Sequence, residues 1–146
     1  MFVCTGNVCR SPMAEYLLRH RLLPDSEWVV CSAGTSAGFG MPASGFAESV
    51  LREKRIDLSP HQSRPLTREL VDAASLIVVM TSGHRDFIRA IYPDATEKIF
   101  LLKSFDPIGG GDIDDPIGLT VDTYRQIRDD IDRALPGMMS FMDTLE

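Results

Sequence analysis

Cysteine is scarce in this chain, three residues in 146, and the number is odd. Three thiols cannot build the paired framework of a small secreted scaffold, so a reducing cytoplasm is the expected compartment. Cys4, Cys9 and Cys31 also lack the company that zinc needs, with no spaced histidine pair and no second cysteine pair, so no metal is expected. No run is long and apolar enough to span a bilayer, and no signal-peptide core is present. Positive charge is the minority sign: 15 Lys and Arg against 21 Asp and Glu leave −6. That balance argues against nucleic acid or an anionic membrane as a partner. It also means that an anionic substrate must be drawn in by local positive potential against a repulsive global field. Internal repeats, linkers and low-complexity tracts are absent. What remains, 44% apolar and 25% charged, is the composition of an ordinary soluble globular protein, long enough for one domain with a real core.

What is present is concentrated at the start, in Met1-Phe2-Val3-Cys4-Thr5-Gly6-Asn7-Val8-Cys9-Arg10-Ser11-Pro12. This reads strand, tight loop, helix. Pro12 at the first helical position, after Ser11 as a cap, opens an amphipathic stretch from Met13 to about Leu22. Only Met1 to Val3 precede the loop, so either the first strand is unusually short or the natural chain starts upstream. A loop of this kind turns successive backbone N–H groups inward at a helix N-terminus, where the dipole favours an anion. Cys4 and Arg10 sit at its two lips. Such a nest stabilises the thiolate, a nucleophile that needs no separate base. The planar fork of Arg10 can hold two phosphoryl oxygens at once. Gly6 would supply a positive φ or room for close backbone approach, and Asn7 tolerates the left-handed region. A bare Cys-x5-Arg fits a buried structural cysteine and a solvated arginine better than a site. The strand before, the Ser-Pro helix after and Gly-Asn within favour a phosphate cradle with a sulfur behind the phosphorus.

Further along, residues 28–32 read as a second short strand and 42–55 as a helix, with Phe46, Val50 and Leu51 on its apolar side. Thr67 caps a short helix to about 74. Residues 76–80, apolar on both faces, read as a central parallel strand. A helix over 82–92 is stopped by Pro93, residues 99–102 form a fourth strand, and 104–119 is a long loop. The last helix spans 120–142 and should kink or break at Pro136-Gly137. This alternation gives an α/β fold: a single-domain, doubly wound, parallel four-stranded sheet of flavodoxin-like order 2-1-3-4 with helices on both faces. Ligands in such sheets bind at the strand C-termini beside the switch point, where the Cys4–Arg10 loop falls.

A thiolate that displaces a phosphoryl group needs an acid for the leaving atom and then a base for water. Two Asp-Pro pairs could supply the carboxylate, Asp106-Pro107 and Asp115-Pro116, and either could equally be turn chemistry. Position just before the last helix mildly favours Asp115.

The run from Cys4 to Glu15, with Ser32-Ala33-Gly34 and Asp115-Pro116 in order after it, resembles the low-molecular-weight protein tyrosine phosphatases over essentially the whole chain, 1–146. The resemblance implies a cysteine-dependent phosphatase acting on a phosphorylated protein, as a monomer or weak homodimer, with no metal or other cofactor. By it Cys4 is the nucleophile, Arg10 the transition-state clamp and Asp115 the general acid and base. Thr5, Gly6, Asn7, Val8 and Cys9 line the phosphate cradle. Asn7, Ser11, Ser32 and His61 match positions that hold the loop and help the thiolate, although His61 alone would read as an ordinary loop residue. Cys9 matches a second loop cysteine that in some members pairs with the nucleophile under oxidation, and a small packing residue is the alternative. Members acting on phosphotyrosine commonly carry an aromatic residue after the Asp-Pro pair, where this chain has Ile117 and Gly118. In the Asp-Pro-x-Gly pattern and in Tyr124-Arg125-Gln126 the chain also resembles the bacterial protein arginine phosphatases. Those usually have Thr at the place of Val8, and tyrosine-specific members usually have Ile. Without a hydroxyl, a guanidinium leaving group loses a partner typically worth about 1 kcal/mol. Val8 therefore favours phosphotyrosine, with phosphoarginine the alternative. An arsenate reductase on this scaffold would need cysteines beyond Cys31 to resolve the adduct, and none follows. A non-catalytic phosphate-binding module would lack Cys4 or Asp115, and both are present.

Overall fold

A computed structural model describes residues 1–145. Four parallel strands, β1 (Phe2–Cys4), β2 (Ser32–Gly34), β3 (Ile77–Val79) and β4 (Ile99–Leu101), form one sheet in the order β2-β1-β3-β4. The helices are α1 (Arg10–Arg21), α2 (Gly45–Arg52), α3 (Arg68–Ala73), α4 (Ser82–Ile91) and α5 (Val121–Asp143). Alternation along the strands builds two cores. Phe2, Cys4, Val78 and Met80 face a layer that includes Met13 and Leu17 of α1, Val50 of α2 and Ile131 of α5. Val3, Ile77 and Val79 face Val71 of α3 and Ile88 of α4. The expected α/β class, strand order and helices on both faces are therefore what the chain adopts. The short first strand is not exceptional, since each strand of the sheet is three residues long.

Several boundaries differ from the sequence reading. The second strand lies at Ser32–Gly34 rather than over 28–32, because the ladder starts where Phe2 pairs with Ser32. The helix expected over 42–55 is limited to Gly45–Arg52: Ser44 caps it by accepting the Ala47 N–H, and Arg55 adopts a left-handed φ of 61° just beyond its end. Helix α1 begins at Arg10 with Cys9 at its cap and no capping side chain, so Ser11 is not the cap. Pro12 falls in the first turn, where its missing N–H would have had no helical partner. The expected break at Pro136 does not occur, and α5 runs through it. The carbonyl that a proline orphans belongs to the residue four places earlier, Asp132, and a guanidinium nitrogen of Arg21 reaches that oxygen at 3.4 Å. The next residue, Gly137, lies so close to the Phe105 carbonyl oxygen that a Cβ could not be accommodated. Contacts from outside the helix carry it past a residue where local propensity would end it.

Candidate active site

The loop between β1 and α1 closes around the Cys4 sulfur. Cys4 is 2% exposed. Its Sγ accepts the Asn7 N–H at 3.3 Å and lies 2.9 Å from Ser11 Oγ. Asn7 makes this possible by adopting a left-handed φ of 56° while fully buried. Its side-chain amide donates to Ser11 Oγ at 2.8 Å and Ser32 Oγ at 2.9 Å, and its Oδ1 accepts the Arg64 N–H at 3.0 Å. The His61 Nε2–H donates to the Asn7 carbonyl at 2.7 Å. Both hydrogens of the Asn7 amide are thus committed to serines, which leaves the Ser11 hydroxyl hydrogen for the sulfur. The serine expected to cap the helix instead holds the cysteine.

Gly6 is not the residue that needs an unusual backbone. Its φ is not left-handed, and a Cβ there would make only ordinary contact with Val8. The expectation placed on Gly6 is met by two other residues. Asn7 takes the positive φ, and Gly34 at the end of β2 allows the close approach, since a Cβ on it would run into the Thr5 carbonyl oxygen. Among the described residues, the N–H groups of Gly6, Val8, Cys9 and Arg10 donate to no protein acceptor. A ring of unpaired donors at a helix N-terminus is the anion cradle that the loop's spacing implied.

Arg10 is 4% exposed, held by a hydrogen bond from one terminal nitrogen to the Ile113 carbonyl at 3.0 Å. Its other terminal nitrogen is 3.6 Å from Asp115 Oδ2. Ile113 is itself buried and donates its N–H to the Met80 carbonyl at 2.8 Å, while Asp112 accepts the Ser82 N–H at the start of α4. These bonds pin the loop so that Asp115, 47% exposed at its side chain, overhangs the mouth. The rival carboxylate is committed elsewhere. Asp106 is buried in a forked pair with Arg133 of α5 at 2.8 Å, and that guanidinium holds its carboxyl below the usual range.

Two neighbours were not legible in the sequence. His84 of α4 places Nε2 at 2.8 Å from Thr5 Oγ1, and its Nδ1 accepts the Thr81 N–H at 3.2 Å. Burial, then the nearby Arg10 charge, pushes its pKa down to about 4, so the ring is neutral and donates to Thr5. Glu15 of α1 accepts the Ser32 hydroxyl at 2.6 Å. The Cys9 thiol lies 3.4 Å from both Ser44 Oγ and Tyr124 OH, and burial pushes it up. All three cysteines are free thiols. Val8 is half-buried beside Ser44, whose N–H it accepts at 2.9 Å. Among the described residues no cluster of His, Cys, Asp or Glu is set to hold a metal, and no helix is long and apolar enough to cross a membrane.

A nucleophile-bearing anion cradle at the C-terminal end of the first strand of a parallel 2-1-3-4 sheet defines the class of cysteine-dependent phosphatases. Within that class the chain belongs to the low molecular weight phosphotyrosine protein phosphatase family, whose pattern it matches over residues 1–145. It is similar to the YwlE arginine phosphatase from Geobacillus stearothermophilus, at 43% identity and a TM-score of 0.89, over 98% of this chain and 91% of that one. It is also similar to a probable low molecular weight protein-tyrosine-phosphatase, EpsP, of Ralstonia solanacearum, at 42% identity over 116 residues, 80% of this chain and 76% of the relative. A third likeness, at 37% identity and a TM-score of 0.87 over 97% and 93% of the two chains, is to a YwlE arginine phosphatase variant with serine in place of cysteine, whose active-site serine is phosphorylated.

Proposed function

We propose that this protein removes phosphoryl groups from protein side chains through a phosphocysteine on Cys4. The observation that carries the reading is the Cys4 sulfur, held by two hydrogen bonds at the foot of a loop whose remaining N–H groups are unpaired. The sulfur attacks phosphorus, forming the S–P bond as the bond to the leaving atom breaks, and Asp115 gives its proton to that atom. Asp115 then takes a proton from water as the water oxygen bonds to phosphorus, the S–P bond breaks and phosphate departs. The Arg10 guanidinium and the free amides of Gly6, Val8, Cys9 and Arg10 hold the phosphoryl oxygens, whose charge spreads in the transition state. Ser11 helps the thiolate, while Asn7, Ser32 and His61 hold the loop. Phosphorylation of the substituted serine in the YwlE relative supports a covalent intermediate at this position.

The substrate side chain follows from what surrounds the cradle. Val8 presents an apolar wall beside the loop, which suits the ring of phosphotyrosine. A second reading, phosphoarginine, is favoured by Ile117 and Gly118, which offer no ring to stack on an aryl group, and by the named activity of the first relative above. Cys4, Arg10 and Asp115 meet within a single chain, which fits action as a monomer or weak homodimer. Three free thiols suit a reducing, cytoplasmic setting. Paired phosphotyrosyl and phosphoarginyl peptides, assayed with wild type and Val8→Thr, test the assignment. The threonine should shift the rate ratio toward phosphoarginine severalfold, and an unchanged ratio would remove Val8 from the account of specificity. Cys4→Ser should abolish turnover of both peptides.

A further inference from the structure

We infer that Glu15 is a positioning residue for the nucleophile, acting through Ser32, Asn7 and Ser11, an inference that rests on the reading of Cys4 as the attacking group. Glu15 lies on α1, 6% exposed, with no direct contact to the sulfur. One carboxylate oxygen receives Arg19 at 2.7 Å and the other the Ser32 hydroxyl at 2.6 Å. A carboxylate only accepts, so the Ser32 hydrogen is committed to it and Ser32 Oγ is left to accept. It does so from one hydrogen of the Asn7 amide at 2.9 Å, and the other goes to Ser11 Oγ at 2.8 Å. The Ser11 hydrogen then has the Cys4 sulfur before it at 2.9 Å. Glu15 thus fixes the direction of the Ser32 hydroxyl, while the Arg64 N–H, donating to Asn7 Oδ1 at 3.0 Å, fixes the Asn7 amide in the same sense, so the two together hold the chain that ends on the sulfur. A helix-surface ion pair between Glu15 and Arg19 would leave the carboxylate in water. Here it faces the sheet, with β2's Ser32 as its second partner.

Replacement by leucine frees the Ser32 hydroxyl to turn and takes a fixed acceptor from one Asn7 amide hydrogen, leaving that amide held by Arg64 and Ser11 alone, so the Ser11 donor to the sulfur is less firmly positioned. Glutamine keeps an acceptor oxygen for Ser32 without the charge. The charged and titratable groups facing Glu15 are Arg19, the amino terminus of Met1 and Tyr16; those around the cradle are Cys9, Arg10 and Asp115, with His61 on the Asn7 carbonyl and the neutral His84 on Thr5. The test is the rate of iodoacetamide alkylation at Cys4 as a function of pH, read from the mass of the Cys4 peptide, alongside kcat and inhibition by inorganic phosphate. In Glu15→Leu, alkylation near neutral pH and kcat should both fall about tenfold, the worth of one charge-assisted hydrogen bond. The acid limb of the alkylation profile should move to higher pH, phosphate inhibition should stay within about twofold, and Glu15→Gln should restore most of the rate. Where the leucine variant does not fold, Ser32→Ala carries the test with the same expected loss. Wild-type alkylation in either folded variant, or a glutamine variant as slow as the leucine one, overturns the assignment. Alkylation does not depend on turnover, so this failure is distinct from that of the catalytic reading, which Cys4→Ser decides.

Discussion

Arg10 and His84 show how a single side chain can serve the site and the fold together. Arg10 anchors the loop that carries Asp115 with one nitrogen, on the Ile113 carbonyl, and approaches the Asp115 carboxylate with the other. Lysine gathers its donors on one nitrogen and lacks the planar fork that reaches two places at once, so Arg10→Lys should lower kcat on the order of 100-fold or more, with a visibly looser loop in proteolysis near Ile113. A kcat within a few-fold of wild type would mean that the fork is dispensable. His84 makes a prediction about pH. Its folded pKa of about 4 lies below the ordinary 6.5, because burial and Arg10 disfavour the imidazolium. Between those values the unfolded chain binds the proton and the folded chain does not, so stability falls as pH drops from 6.5 toward 4. Asp112 and Asp115 oppose this shift without reversing it. Thermal melts of His84→Gln should therefore lose less stability than wild type on acidification across that window. Parallel pH curves for the two proteins would place the acid sensitivity elsewhere.

At the scale of elements, the site depends on how closely β2 approaches the loop that leaves β1. Gly34 permits this contact, and in Gly34→Ala the added methyl must push the Thr5 carbonyl away. That change should cost stability of about 1–3 kcal/mol and reduce activity beyond what the lost stability explains. Chemical denaturation together with phosphate affinity checks it, and an alanine variant with wild-type phosphate affinity would show the loop to be held by other means. The same reasoning explains which parts of the fold were legible in sequence. The Cys4–Arg10 loop is contiguous, and its strand and helix are announced by residues beside it, so the site's core could be read directly. The strand order followed from alternating elements and right-handed connections. What could not be read depended on partners remote in the chain. Thr5 and His84 are 79 positions apart, and Arg21 rescues the carbonyl that Pro136 orphans from 111 positions before Asp132. Ser11 looked like a helix cap because capping is local chemistry, whereas its actual partner is decided by the folded loop.

For the whole molecule, the charge balance and the site pull in opposite directions. The chain carries −6, yet its cradle concentrates unpaired amides, a helix N-terminus and a buried guanidinium around one sulfur. Binding of a phosphate dianion therefore depends on local fields, and it should weaken only modestly with added salt because the cradle is shielded from bulk ions. The central claim is that the phosphoryl group passes through the Cys4 sulfur, with Asp115 needed to send it on to water. Asp115→Asn with p-nitrophenyl phosphate isolates that claim, because this leaving group departs without an acid while hydrolysis still lacks its base. Acid-quenched samples analysed by mass spectrometry should show a phosphoryl adduct on the Cys4 peptide that accumulates in the variant and decays quickly in wild type. Turnover with no adduct on Cys4 at any quench time would contradict the account.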